Sequence, residues 1–350
     1  MGEPESRGGG RYRHIFPQIS YSDVISLENL LIAWYEFRNG KRNRPDVQAF
    51  EFELENNIFL LHEELVNGSY KPDQYTQFRI SDPKPRLISK AMVRDRLVHH
   101  AIYRILYPHF EQTFIYDSYS CRIGKGTHKA FARLQRQIRK CSKNYTKPCF
   151  AIKMDIRKFF DSIDHQTLLS LLINRIEDKA ILSLLRNIIC GFEVTPGKGM
   201  PIGNLTSQLF ANVYMDPLDK FVKHRLKAKY YLRYADDFLI LANSKDELTG
   251  YFIEIWRFLK EDLKLELHQN KISLRKLEWG IDFVGYVARP HYAFPRRTTV
   301  RRIQKNIDLV QDLEKLAPML DSYLGYLSHV SAKELESDLR CRAFRKFHSM

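Results

Sequence analysis

Two adjacent aspartates, Asp236 and Asp237, stand in the middle of the apolar run YYLRYADDFLILA, residues 230–242. Apolar strand formers flank them on both sides, which predicts strand, tight turn, strand, with both arms largely buried. Ala235 and Asp236 then occupy the turn, where hairpins favour Asn-Gly or Asp-Gly because positive φ is needed. Acidic side chains at a strained tip cost free energy, which suggests that the carboxylates have a task. A solvated aspartate turn is the plainer alternative. A third acid, Asp155, ends the alternating segment AIKMDI, and that strand can lie beside the hairpin in one sheet. Carboxylates converging from neighbouring strands make an oxygen-rich, negative pocket of the kind that hard divalent cations such as Mg²⁺ require. Two such ions roughly 3.5–4 Å apart can activate an attacking hydroxyl and stabilise a leaving phosphate oxygen, which is phosphoryl transfer to a 3′-hydroxyl.

The rest of the chain must position these acids. Apolar residues recur at helical spacing from Leu27 to Leu65, predicting two helices separated by the basic linker RNGKRNRPD. NGSYKPDQYTQFRISDPKPRLIS mixes turn formers with β-formers, so short strands and a proline-stiffened loop are expected there. A helix follows through VRDRLVHHAIYRILYPHF, and a loop with Gly124 and Gly126 leads into a helix studded with Lys and Arg. After the strand CFAIKMDI, Asp164 can N-cap the helix DHQTLLSLLINRI. Asp161 and Asp164 lie past the strand end and read as helix-start residues rather than catalytic ones. The long helix LTSQLFANVYMDPLDKFVKHRL carries Pro217, which implies a kink. Beyond the hairpin come the helix ELTGYFIEIWRFLKEDLKLEL, the strand pair GIDFVGYVA and a basic helical region from RRTTVRRIQK to Met350.

A chain of 350 residues leaves room for two or three substructures. Its net charge of +15 sets up a field that attracts polyanions, of which nucleic acid backbones are the commonest. No apolar run approaches the roughly 20 residues that cross a bilayer, so no membrane association is expected. The opening MGEPESRGGGRYRH has no apolar core segment and reads as a basic or disordered leader rather than a signal peptide. Cys121, Cys141, Cys149, Cys190 and Cys341 are scattered, without zinc or disulfide spacing, which predicts a reducing, cytoplasmic setting.

KMDIRKFFDSIDH, GMPIGNLTSQLFAN, YLRYADDFLIL, LELHQNKISL and GIDFVGYV follow one another in the order and kind of the motifs of reverse transcriptases. PKPRLISKAMVRDR and SYSCRIGKGTHKA resemble the fingers region of that family, so the resemblance covers nearly the whole chain from about Leu27. It implies an α+β fold of right-hand polymerase architecture: a leader at 1–26, fingers with N-terminal helices at 27–148, a palm with antiparallel sheet at 149–288 and a helical thumb at 289–350. The function implied is RNA-directed DNA polymerase, a nucleotidyltransferase that makes cDNA from a structured template RNA with a primer, dNTPs and two Mg²⁺ ions. Asp155, Asp236 and Asp237 match the metal-binding acids, with Asp155 and Asp236 the direct ligands to both ions and the carbonyl of Ile156 a further one. Phe160 matches the aromatic beneath the incoming sugar, where its bulk excludes a 2′-hydroxyl, and Lys271 the lysine that protonates departing pyrophosphate. Arg86 and Lys90 resemble the fingers residues that grip the triphosphate, for which Arg offers a planar fork.

An enzyme that copies any sequence relies on phosphate contacts. Arg122, Lys125 and Lys129, with the backbone N–H groups of the neighbouring glycines, are candidates for the template; Arg296, Arg297, Arg301, Arg302 and Lys305 are candidates for holding the A-form duplex. Tyr323, Leu324 and Leu327 read as thumb core. Most of the family has Q-G-x-x-x-S-P where this chain has IGNLTSQ. Ile202, Gly203 and Gln208 then line the nucleotide site, with the apolar Ile202 standing where a glutamine usually touches the incoming nucleotide. The I-G-x-x-x-S-Q form resembles the reverse transcriptases of diversity-generating retroelements, which copy template adenines with errors and act with a small basic accessory protein. Compact antiphage-defence reverse transcriptases share the plan and remain the alternative, and the length predicts fingers, palm and thumb without an added nuclease domain. An RNA-binding scaffold with a polymerase fold and an RNA-synthesising polymerase are the readings from other classes; Phe160 opposes the second.

Overall fold

The structure is a computed structural model that describes residues 19–81 and 85–348. Most of the expected leader, 1–26, lies outside the described residues. Its last part is helical: Ser20 accepts from the Asp23 N–H while the Asp23 carboxylate accepts from the Ser20 N–H, closing a capping box on the helix Tyr21–Ile25. Val24 and Ile25 are buried there, and Tyr21 donates its hydroxyl to the Leu65 carbonyl at 2.6 Å. The leader boundary therefore moves back by at least six residues, because buried apolar side chains fix this turn.

The chain forms two compact units, and neither is contiguous in sequence. One comprises Met1–Thr113, Leu169–Phe192 and Pro201–Leu209; the other comprises Phe114–Leu168, Glu193–Met200 and Phe210–Met350. These units cut across the contiguous spans expected from the motifs, since long-range packing rather than chain order decides which segments cluster.

The first unit is mainly helical. Leu30, Ala33, Trp34 and Phe37 form the buried stripe of the helix Leu27–Arg38, spaced three and four apart as an amphipathic helix requires. The second expected helix is two, Pro45–Phe52 and Leu54–Val66, separated at Glu53, whose φ of −111° and ψ of 37° leave the helical region. Two strands, β1 (Thr76–Ile80) and β2 (Arg86–Lys90), pair antiparallel from Thr76↔Lys90 to Ile80↔Arg86. Helices Val93–Glu111 and Lys179–Cys190 also belong to the unit, the latter capped by Asp178.

In the second unit, β3 (Phe150–Asp155), β4 (Tyr230–Tyr234), β5 (Asp237–Ala242) and β6 (Ser273–Lys276) form an antiparallel sheet of order β4-β5-β3-β6. From Phe238 to Ala242 every residue of β5 is buried, so both faces of the sheet are covered. Helix Thr127–Cys141 covers one face, packing Phe131, Leu134 and Ile138 onto Leu232, Leu239 and Leu241, and helix Lys245–Glu261 packs against β3 and β5. A smaller sheet joins β7 (Ile281–Phe283), β8 (Tyr286–Ala288) and β9 (Ala293–Pro295). Helices Arg297–Leu309, Leu313–Leu327 and Lys333–His348 share a core that includes Ile303, Ile307, Leu327 and Leu339, with Tyr323 packed against it. The helix with Pro217 stays α-helical from Leu205 to Lys220 and then widens to a π-helical turn, Phe221–Arg225. The change of helix type begins four residues after Pro217, so the turn that precedes the proline, where its ring and missing N–H act, stays α-helical.

Leu239 lies at the centre of β5 with no exposed surface. Leu239→Ala should cost about 2–5 kcal/mol of the second unit's stability. Urea denaturation followed by amide exchange in β5 reads that loss, and a loss under about 1 kcal/mol would contradict the packing.

Candidate active site

β3 and β5 run antiparallel in a register that sets Asp155 directly opposite Asp237. Like charges placed so across two strands repel, because their Cβ atoms are about 4.5–5.5 Å apart. β4 and β5 join through a two-residue turn made of Ala235 and Asp236, and Ala235 takes a φ of 55°. That is the left-handed region, where a residue with a Cβ is strained. The Ile156 N–H donates to the Asp236 carbonyl at 3.2 Å, which ties the tip to the end of β3. The three acids expected to act together are thus brought to one end of one sheet.

Two lysines meet the acids. Lys153, two residues before Asp155 and on the same face of β3, lies 2.9 Å from Asp237 Oδ2. Lys271, in the turn before β6, lies 2.5 Å from Asp155 Oδ1. Burial first of all lifts the Asp237 carboxyl to about 6; the Lys153 ammonium pulls it down, and the charges of Asp155 and Asp236 push it further up. Its Oδ1 is buried without a hydrogen-bond partner. As the side chains stand, no group of three or more His, Cys, Asp or Glu among the described residues is arranged to hold a metal ion. The expected ligand cage is therefore not formed in place, since Asp155 and Asp237 are each turned to a lysine. The side-chain donors nonetheless fit a hard divalent cation: they are carboxylate oxygens, one is buried and unsatisfied, and their mutual repulsion is relieved by positive charge.

Lys153 opens the motif KMDIRKFFDSIDH, yet no role was expected of it. A signal for it exists, because an i−2 position on an alternating strand shares the face of the acid. Phe160 is half-buried at the start of the helix Phe159–Ser162, edge-on to Phe159 at 5.4 Å, and its carbonyl accepts from the Met200 N–H at 2.9 Å. Asp164 caps the helix His165–Ile173 by accepting from the Thr167 N–H at 2.9 Å, as expected, and Asp161 lies in the first turn of the preceding helix.

Arg86, Lys90, Ile202, Gly203 and Gln208 belong to the other unit. There the Ser89 N–H donates to the Ile202 carbonyl at 3.3 Å, so the IGN loop lies on β2. Gly203 has a φ of +124°, and a Cβ would meet Ile88 Cγ2 at 3.3 Å, which explains why glycine stands there. Arg86 is exposed, while Lys90 is 2.7 Å from Asp46. Gly203, Gln208 and Lys90 line a cavity of about 400 Å³ with Lys41, Arg44 and Arg96.

The basic side chains of the glycine loop bond to the loop's own backbone. Arg122 points its guanidinium at the carbonyls of Ile115 and Ser118, at 2.6 and 2.9 Å; Lys125 donates to the Tyr116 carbonyl and Lys129 to the Gly124 carbonyl. The Gly126 N–H bonds to the Tyr119 carbonyl at 3.1 Å. These groups hold the loop's own backbone, because a glycine-rich turn leaves carbonyls that need donors. By contrast, Arg297, Arg301 and Lys305 are exposed four residues apart along one helix face, and Arg296 pairs with Asp282.

Residues 71–288 match the family described as reverse transcriptase (RNA-dependent DNA polymerase). The chain belongs to that family. This reverse transcriptase is 26% identical over 267 residues to protein YkfC of Escherichia coli K12, covering 65% of this chain and 70% of that one. It is 24% identical over 346 residues to the group II intron-encoded protein LtrA of Lactococcus lactis subsp. cremoris, covering 78% of this chain but 56% of that protein. Among solved structures, telomerase from Candida albicans aligns at a TM-score of 0.49 and 11% identity over 82% of this chain and 64% of that one. No helix among the described residues is long and apolar enough to cross a membrane.

Asp237 binds its proton more tightly folded than unfolded. Its contribution to stability is therefore intact below the ordinary carboxylate range and is lost as the pH rises through about 6. In metal-free protein, Asp237→Asn should gain on the unsubstituted chain between pH 4 and 7 by on the order of 1–3 kcal/mol, read as the difference in thermal midpoint. A difference that shrinks with rising pH would contradict this assignment.

Proposed function

We propose that this reverse transcriptase extends a primer on a structured RNA template by nucleotidyl transfer at the β3–β5 end of the second unit, with two Mg²⁺ ions held by Asp155, Asp236, Asp237 and the Ile156 carbonyl. The observation that carries the reading is the register that sets Asp155 opposite Asp237 with Asp236 at the adjoining tip. Bound there, the cations would supply activation of the primer hydroxyl and charge neutralisation at the leaving phosphate. The bound cations would compete for the carboxylates that now pair with Lys271 and Lys153. Lys271, beside Asp155, is the proton donor for departing pyrophosphate. Phe160 lies under the sugar and admits dNTPs by excluding a 2′-hydroxyl. The exposed row Arg297, Arg301 and Lys305 binds duplex phosphates without reading sequence.

The four-stranded sheet serves as palm and the three C-terminal helices as thumb in this reading. Likeness to the intron-encoded LtrA supports a structured RNA as template, and the scattered free cysteines support work in the cytoplasm. Ile202 and Gln208, in place of the family's glutamine and proline, favour an error-prone enzyme of a diversity-generating retroelement with a small basic accessory protein. An apolar side chain cannot test base-pair geometry through a hydrogen bond, so discrimination there is weak.

The test is primer extension by purified protein on RNA, with Mg²⁺ and either dNTPs or rNTPs. The chain should incorporate dNTPs, and Asp236→Asn should lower incorporation by about 10³-fold or more. Phe160→Ala should admit rNTPs, and Ile202→Gln should reduce errors opposite template adenines. Absence of dNTP incorporation would leave an RNA-binding scaffold, and a preference for rNTPs an RNA-synthesising polymerase. Accurate copying of adenines would move the biological role towards antiphage defence.

A further inference from the structure

Arg233 lies in β4, three residues before Asp236, and is 1% exposed. A guanidinium there is unexpected on stability grounds, since replacing a buried ion pair by apolar residues is often neutral or stabilising. Its bonds explain its presence. Nε donates to Asp219 Oδ1 at 2.8 Å and Nη2 to Asp219 Oδ2 at 2.6 Å, a planar two-point match to a carboxylate that is itself fully buried. Tyr231 donates its hydroxyl to the same carboxylate at 2.7 Å. Nη1 divides its hydrogens between Asn212 Oδ1 at 3.3 Å and the Ala235 carbonyl at 3.0 Å.

That last bond bears on the active site. The Ala235 carbonyl and the Asp236 N–H belong to one rigid peptide plane. The Asp236 carbonyl belongs to the next plane, and it accepts from the Ile156 N–H at 3.2 Å. Both planes that flank Asp236 are therefore pinned, one by the Arg233 side chain and the other by the β3 backbone. Ala235 meanwhile sits at a φ of 55°, a conformation that surrounding bonds must hold.

We propose that Arg233 is a positioning residue that directs the Asp236 carboxylate by fixing the peptide plane before it, with Asp219 and Asn212 holding the guanidinium at the required angle. The inference rests on reading Asp236 as part of the metal-binding site. The backbone at Arg233 is anchored as well: its N–H donates to the Asp117 carbonyl at 3.0 Å, and its carbonyl accepts from the Tyr119 N–H at 2.9 Å. Side chain and main chain thus form one strut from the 117–119 segment to the hairpin tip. Lysine cannot replace it, because one ammonium lacks the planar fork that spans Asp219 and Ala235 together.

Two variants test this. Arg233→Lys keeps a positive charge beside Asp219, and Arg233→Met with Asp219→Asn removes both charges while leaving Tyr231 an acceptor. In metal-free protein, amide exchange at residues 235–237 should accelerate about tenfold in each, with Leu239, Ile240 and Leu241 still protected. In primer extension, kcat should fall about 100-fold and the Mg²⁺ concentration for half-maximal rate should rise, with the dNTP KM unchanged. Unaltered exchange at the tip would overturn the proposal, as would exchange that rises equally along β4 and β5, which a merely structural pair would produce. The exchange measurement needs no activity, so it decides the role of Arg233 even if the chain proves unable to polymerise.

Discussion

Repulsion between two aspartates set opposite each other across β3 and β5 is the constraint on which the rest of the second unit depends. A sheet register that costs free energy persists only where surrounding structure over-determines it. Here a fully buried β5, helix Thr127–Cys141 on one face and the paired strands on either side supply that over-determination. Lys153 and Lys271 lower the cost locally by pairing with the two acids. Neither removes it, since Asp237 keeps a buried oxygen without a hydrogen bond. Such a site gains stability from any added positive charge of suitable chemistry, and carboxylate oxygens suit a hard divalent ion.

Positive charge in this chain falls into two kinds. Arg122, Lys125, Lys129 and Arg233 each donate to a backbone carbonyl, and Arg233 also to a buried acid, so they brace backbone. Arg297, Arg301 and Lys305 lie exposed along one helix face and leave their charge in solvent, where a net charge of +15 favours a polyanion. Counting basic residues in the sequence does not separate the kinds. Their neighbours do, because glycine-rich turns and buried strands contain carbonyls and carboxylates that need donors.

The hairpin, the strand ending on Asp155, the cap at Asp164 and the long helices were legible because each depends on local pattern: period two, a turn between apolar arms, or a capping residue before an apolar run. The interruption at Glu53 was not, since acidic and apolar residues continue across it with helical spacing. Nor was the division into units, in which residues 169–192 join the N-terminal helices through contacts distant in sequence. The inward turn of Arg122 is hidden for a related reason: its partners, Ile115 and Ser118, are backbone oxygens that no residue type announces. Arg233 carried a usable signal, a charge among Tyr231, Leu232 and Tyr234 in a strand whose other residues read as buried.

The central claim, that acids from β3 and the hairpin tip share divalent cations, is tested most directly by Mn²⁺ binding to nucleic-acid-free protein, followed by electron paramagnetic resonance. The account predicts Mn²⁺ uptake that Asp155→Asn and Asp236→Asn each abolish, although the two residues lie on different strands. Uptake that survives either substitution unchanged would contradict it.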